Sequence, residues 1–326
     1  MDKMDQIKSC IADEMRRFED SFERALSTHV PLADNVIHYF LDRRGKQMRP
    51  MVALLAAKMV GGEVTETSIK GAVSLELLHN ASLMHDDVID KSDERRGIST
   101  VNKVWDNRVA VLMGDFFLSK CLVVSNSAGS LDISNILAEI VIRLSEGELE
   151  QLSNVRSRLL SESAYFSVIS GKTASLFSAC MKVGALSVGG SEAVVEQLGQ
   201  IGELMGLIFQ IRDDVFDYYP SADLGKPTGH DIMEGKVTLP LLYALQHDAS
   251  DEAGKMRAIL EQGDELTGEQ VEQLVEFAKA MGGIEYAQAK MKKLAFEAKK
   301  LLNQQPESPA REALKSIIDY FIARNH

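Results

Sequence analysis

Ser82-Leu-Met-His-Asp-Asp-Val-Ile-Asp90 and Leu207-Ile-Phe-Gln-Ile-Arg-Asp-Asp-Val-Phe-Asp217 carry the same aspartate signature in the two halves of the chain. In each, apolar residues recur at helical spacing around Asp-Asp-x-x-Asp, and neither stretch alternates with the period of a strand. Residues four apart share a helix face, so Asp86 pairs with Asp90 and Asp213 with Asp217. Like charges at that spacing destabilise a helix unless a cation sits between them. One such cluster is compatible with a solvated charged face. Two, each bordered by apolar residues, point to two jaws of one hard-metal site.

Helical periodicity continues outward from these stretches. It predicts helices over 2–28, 32–43, 50–60, 68–90, 106–126, 131–150, 162–187 and 191–217, then over 236–247, 251–262, 267–281, 283–303 and 308–324. Breaks fall at Gly61-Gly62, Gly97, Gly189-Gly190, Tyr219-Pro220 and Gly282-Gly283. The polar section from Gly225 to Gly235 reads as a loop directly after the second aspartate helix, and no stretch supports a strand. The expected fold is all-α: residues 1–326 as a single-domain bundle of about ten or more helices around a central cavity.

With 45% hydrophobic residues in 326, the chain can bury a large core. Its net charge of −12 argues against nucleic acid as the principal partner, because a phosphate backbone needs a broad basic face. Cys10, Cys121 and Cys180 are widely spaced with no CxxC, which fits free thiols in a reducing compartment. The polar N-terminus has no signal-peptide pattern, and the apolar run Met51–Ala57 stops at Lys58, too short to span a bilayer. A cytoplasmic location is expected, with peripheral membrane contact left open.

Six carboxylates facing one cavity repel unless cations neutralise them, and oxygen-only ligands suit Mg²⁺, or alternatively Mn²⁺, rather than zinc. The cations in this acidic chain are placed tellingly. Arg43-Arg-Gly-Lys-Gln-Met-Arg49 precedes a helix opened by Pro50, Arg95-Arg96 follows the first cluster, Lys172 precedes Thr173, and Lys226 and Lys236 follow the second cluster. Each alone is an ordinary surface cation. Together they favour a polyanion held partly through metal and partly by direct charge-assisted hydrogen bonds.

Five segments resemble the trans-isoprenyl diphosphate synthases, in that family's order and over about residues 40–240. They are Gly45-Lys-Gln-Met-Arg-Pro50, Glu76-Leu-Leu-His-Asn-Ala-Ser-Leu-Met-His-Asp-Asp-Val-Ile-Asp-Lys-Ser-Asp-Glu-Arg-Arg-Gly97, Gly171-Lys-Thr173, Phe209-Gln-Ile-Arg-Asp-Asp-Val-Phe-Asp217 and Asp223-Leu-Gly-Lys-Pro227. One departure is Gln47-Met48, where the family often has Lys/Arg followed by Arg/Leu. The resemblance implies the isoprenoid synthase type of fold, a homodimer, and successive head-to-tail condensation of isopentenyl diphosphate onto an allylic diphosphate. It implies three Mg²⁺ between Asp86/Asp90 and Asp213, with Asp87, Asp214 and Asp217 in support. Arg95, Lys172, Lys226 and Lys236 would contact the allylic diphosphate, and Lys46, Arg49, His79 and Arg96 the isopentenyl diphosphate. Thr173 and Gln210 would turn oxygen dipoles to the developing carbocation.

Product length should follow the depth of an apolar tunnel below Asp86. Ala81 and Ser82, about one turn upstream, are small where the family's C15 enzymes carry bulky residues. Ile136 and Leu137 are candidates for the tunnel floor. The expected product is long, about C30–C50 for a quinone side chain, with a shorter-chain (geranylgeranyl or farnesyl) synthase as the alternative and a non-catalytic subunit of a heteromeric synthase as the reading from another class.

Overall fold

The computed structural model describes residues 3–43, 45–95, 97–157, 160–220, 228–247, 251–262 and 266–323. In chain order the elements are α1 (Lys3–Ser9), α2 (Ala12–Ala25), α3 (Pro31–Leu41), α4 (Met48–Gly61), α5 (Glu66–Ile89), strands β1 (Glu94–Arg95) and β2 (Ile98–Ser99), α6 (Val101–Val104), α7 (Asn107–Ser127), α8 (Leu131–Ser157) and α9 (Glu162–Ile169). A π-turn (Ser170–Ala174) leads into α10 (Ser175–Leu186), followed by α11 (Glu192–Phe216), α12 (His230–Met233), α13 (Leu239–His247), α14 (Asp251–Leu260), α15 (Gly268–Ala280), α16 (Gly283–Leu302) and α17 (Pro309–Ala323). The fold is all-α, as the periodicity predicts, and the chain divides into two compact units.

The first unit comprises Met1–Ile142, Ser175–Glu203 and Lys300–Ile317. Its centre is α5, against which α2, α4, α7 and α10 pack. Met51 to Ala57 of α4 are all buried, and a helix apolar all round belongs inside a core. Small residues bring the backbones close. A Cβ on Gly184 of α10 would stand 2.3 Å from the Ala53 carbonyl oxygen, and one on Gly71 of α5 2.5 Å from Val183. Thr65 and Ser68 form a reciprocal capping box that starts α5, and Ser68 Oγ reaches Ser187 Oγ at 2.6 Å beyond the end of α10.

After α5 the chain turns through Lys91, at φ +50°, into a two-stranded hairpin whose turn uses Gly97 at φ +73°. The hairpin is tied back to the helix. Ser92 N–H donates to the Asp87 carbonyl at 2.9 Å, while Thr100 Oγ1 and Asn102 Nδ2 donate to the Ser92 carbonyl at 2.7 and 3.0 Å.

The second unit comprises Arg143–Ala174, Leu204–Lys299 and Ile318–His326. Here α13 packs on α9, α14 and α15. Tyr218, fully buried just after α11, exchanges a hydrogen bond with Thr238 Oγ1 at 2.9 Å and accepts the Leu241 N–H at 3.2 Å, fixing the entry to α13.

Three expectations are corrected locally. The helix expected over 2–28 divides at Cys10–Ile11, where Ile11 leaves helical geometry (φ −135°, ψ 29°) and the Cys10 carbonyl accepts from Lys58 Nζ at 2.8 Å. The helix expected over 162–187 widens into the π-turn at 170–174, where Gly171 meets Gly147 of α8 backbone to backbone. The two strands and the four-residue α12 arise where no strand and only a loop were expected, since both are too short to show periodicity.

Candidate active site

The C-terminal half of α5 presents Asp86 and Asp90 half-buried and Asp87 buried. Asp87 holds Arg95 of the hairpin: Nε and Nη2 lie 2.9 and 2.8 Å from Oδ1. His85, the nitrogen donor inside this cluster, turns away to α7, where Nε2 lies 3.2 Å from the Val111 carbonyl and 3.4 Å from Asp115. Gly114 makes room for it, since a Cβ there would stand 2.3 Å from the ring. The helix therefore offers Asp86 and Asp90 as oxygen donors one turn apart, a donor set that suits a hard divalent cation.

At the start of α4, Gln47 adopts the left-handed conformation (φ 51°, ψ 43°), uncommon for a side chain of its size. The turn delivers Arg49 to α5, where Nη1 donates to His79 Nε2 at 2.8 Å, and the guanidinium lies 5.1 Å from the Phe177 ring centroid. Lys46 is exposed on the same turn. The structure thus brings Arg49 and His79 together. A cavity of about 130 Å³ in this unit is lined by Gln47, Asp87 and Arg95 among others.

In the second unit the π-turn sets Lys172 and Thr173 against α8 and α11. A Cβ on Gly147 would lie 3.0 Å from the Lys172 backbone nitrogen, so a larger residue there would push the π-turn away from α8. π-turns of this kind recur at functional sites because they re-aim side chains inside a helix. Lys172 Nζ forms an ion pair with Glu148 and donates to Gln151 Oε1 at 3.2 Å. Thr173 Oγ1 donates to Gln210 Oε1 at 2.7 Å, Gln210 Nε2 donates to Asp214 Oδ1 at 2.8 Å, and Tyr165 OH donates to Asp214 Oδ2 at 2.5 Å.

The three aspartates of the second cluster differ in their surroundings. Asp213 is half-buried on α11. Asp214 is only 4% exposed; burial and the nearby Asp231 carboxylate push it well above the usual carboxylate range, against the bonds from Tyr165 and Gln210 that favour its charged form. Asp217 caps α12, accepting the N–H groups of His230 and Asp231 at 3.0 Å each. Lys236 bonds Glu234 at 2.6 Å.

Lys172, Thr173, Gln210, Asp214 and Lys236 line one cavity of about 310 Å³ whose other walls include Leu160, Val168, Ile169, Leu242 and Leu260. A pocket lined by both charged or polar and aliphatic side chains suits a ligand with a charged head and a hydrocarbon tail. Arg96 and Lys226, expected to contact diphosphate, lie outside the described residues. Ala81 and Leu137 are buried at 2% exposure each, and Ser82 is half-buried with its hydroxyl on the His79 carbonyl. Sequence reasoning passed over Glu148, Gln151, Tyr165 and Glu234. The only signal for the first two is Gly147, an isolated glycine inside a helical pattern.

A family model described as Polyprenyl synthetase matches residues 30–278. The chain is 36% identical over 324 residues to an octaprenyl diphosphate synthase of Haemophilus influenzae, covering 99% of this chain and 98% of that protein. Its structure is similar to that of a polyprenyl synthase from Caulobacter crescentus CB15 complexed with calcium and isoprenyl diphosphate (TM-score 0.92, 30% identity, 99% and 98% of the two chains covered). It is also similar to a geranylgeranyl pyrophosphate synthase from Bacteroides thetaiotaomicron (TM-score 0.86, 38% identity, 99% and 100% covered).

Proposed function

The chain belongs to the polyprenyl synthetase family and is a trans-prenyltransferase, and from that premise we propose that it is a long-chain polyprenyl diphosphate synthase. It would extend an allylic diphosphate such as farnesyl diphosphate with isopentenyl diphosphate to about C30–C50, as one synthase domain spanning residues 1–326. The observation that carries prenyl transfer is the pocket that Lys172, Thr173, Gln210 and Lys236 line together with aliphatic side chains. Small Ala81 and Ser82, about one turn before Asp86, support the long product.

In this reading Asp86, Asp90 and Asp213 hold Mg²⁺, three ions by family resemblance, with Asp87, Asp214 and Asp217 in support. When bound, the ions supply positive charge to the diphosphate as its C–O bond breaks. Arg95, Lys172 and Lys236 add hydrogen-bonded positive charge to the same leaving group, and Lys226 joins them. Arg95, Lys172 and Lys236 each lean on a carboxylate, Asp87, Glu148 and Glu234 respectively, so their side chains are ordered beforehand. Thr173 and Gln210 offer oxygen dipoles to the allylic cation, and the aliphatic walls keep water from it. Lys46, Arg49, His79 and Arg96 hold isopentenyl diphosphate. Its alkene attacks C1, and the C2 proton leaves to the released diphosphate, so no protein base is required.

The same reading supplies a partner, a second copy of the chain. One face of α7 buries Ala110, Met113, Phe117 and Cys121, while Leu112 and Val123, on another face, are 66% and 65% exposed. By length and composition α7 passes as a membrane span, but its buried face belongs to the core around α5, which favours a protein partner over a bilayer. Leu112→Asp should shift the oligomeric state in sedimentation; an unchanged profile argues against this face.

The likeness to the Bacteroides geranylgeranyl pyrophosphate synthase favours a second reading, a C20 product. Incubating purified protein with farnesyl diphosphate, labelled isopentenyl diphosphate and Mg²⁺ separates the two. Labelled chains of six or more isoprene units support the long-chain reading, chains that stop at C20 support the second, and no labelled product refutes both.

A further inference from the structure

Tyr165 belongs to none of the aspartate or cation motifs, yet it stands at one end of an unbroken hydrogen-bonded line. Its hydroxyl donates to Asp214 Oδ2 at 2.5 Å, Asp214 Oδ1 accepts Gln210 Nε2 at 2.8 Å, and Gln210 Oε1 accepts Thr173 Oγ1 at 2.7 Å. The line draws on three elements, α9, α11 and the π-turn, and all four side chains border the 310 Å³ cavity.

We propose that Tyr165 is a positioning residue for prenyl transfer, fixing through Asp214 and Gln210 the direction in which the Thr173 hydroxyl faces. This rests on the role proposed above for Thr173. A side-chain amide has one donating and one accepting end, and both oxygens of Asp214 accept here, Oδ2 from Tyr165 and Oδ1 from Gln210. Asp214 therefore draws the NH₂ end of Gln210 to itself and leaves Oε1 for Thr173. Thr173 has a single hydroxyl proton and gives it to Gln210. What remains on its oxygen is lone pairs, so a cation forming in the cavity meets negative potential instead of an O–H dipole of the wrong sign.

Tyr165 secures the arrangement from behind. With Oδ2 occupied by the phenol, Asp214 cannot rotate without breaking two bonds at a position only 4% exposed, where water is a poor replacement. Without the phenol, Oδ2 is left buried and unsatisfied, the carboxylate turns to recover a donor, and the Gln210 amide is free to turn with it.

The test is Tyr165→Phe, which keeps the ring and removes only the hydroxyl. Turnover should fall about 10-fold, with KM for both diphosphates within about twofold of wild type, since the lost interaction acts in the transition state. In a Thr173→Ala background the same change should have no further effect, whereas in Thr173→Ser it should again lower turnover about 10-fold. Wild-type turnover in Y165F, an equal loss on top of T173A, or a loss carried wholly by KM overturns the proposal. Crystal structures of wild type and Y165F give a reading independent of activity: Asp214 and Gln210 should reorient, and unchanged positions refute the proposal. A wild-type protein that forms no prenyl product sinks the functional reading instead, and the two structures still decide the positioning.

Discussion

Arg95 lays its guanidinium along the buried carboxylate of Asp87, with Nε and Nη2 at 2.9 and 2.8 Å from the same oxygen. This divides the first aspartate cluster by role, because a carboxylate so engaged anchors a cation. Asp87→Asn should raise KM for the allylic diphosphate about 10-fold with a smaller change in kcat, by loosening Arg95. Steady-state kinetics check this; an unchanged KM removes the anchoring role.

Asp86→Ala and Asp213→Ala should each lower turnover by at least ~10²–10³, the scale of losing an electrostatic group at a transition state. Near-wild-type turnover in either variant, in saturating Mg²⁺, sinks the metal assignment.

Ser82→Phe should shorten the product. Ser82 is half-buried on α5 with its hydroxyl turned back onto the His79 carbonyl, so an aromatic ring there must project into neighbouring space. Product analysis by chain length checks it, and an unchanged distribution refutes the wall assignment.

Burial pushes the thiols of Cys121 and Cys180 up to about 12. Native protein at pH 8 should therefore yield at most the half-buried Cys10 to a thiol reagent, and all three once unfolded. Mass spectrometry of the labelled peptides checks this; rapid native labelling of Cys180 contradicts its packing in α10.

Glu162 receives Lys290 Nζ at 2.7 Å and Tyr286 OH at 2.8 Å. Burial acts to raise its pKa, but the two hydrogen bonds outweigh it and the net shift is downward. A depressed carboxylate contributes stability that is present above its unfolded pKa of about 4.3 and is lost as pH falls through the folded value. The Tm of wild type should exceed that of Glu162→Gln by a constant margin from pH 6 to 8, and the margin should close below about pH 4. Thermal melts across that range check the sign.

What local sequence encodes and what it omits separate cleanly here. The helices and their apolar faces were legible because periodicity is a local property: α5, α7 and α11 lie within a few residues of their expected spans. The meeting of Lys172, Thr173, Gln210 and Lys236 in one pocket was legible only through the family resemblance. Their carboxylate partners were not, since Glu148 reaches Lys172 from a distant helix and no spacing rule links them. Asp217 illustrates the other limit. Its place in the Asp-Asp-x-x-Asp pattern suggests support for a metal, and nothing in that pattern shows the second task the fold gives it, accepting the His230 and Asp231 N–H groups at the start of α12.

The knot of hydrogen bonds joining Ser92, Thr100 and Asn102 behind the hairpin has a kinetic consequence. A segment that folds only on contact makes each encounter wait for loop closure. Here Arg95 and the described residues around it are already shaped, so an anion binding there would not wait for the hairpin to close. Breaking the knot, as Thr100→Val does by deleting one hydroxyl, should slow anion association while leaving dissociation almost untouched.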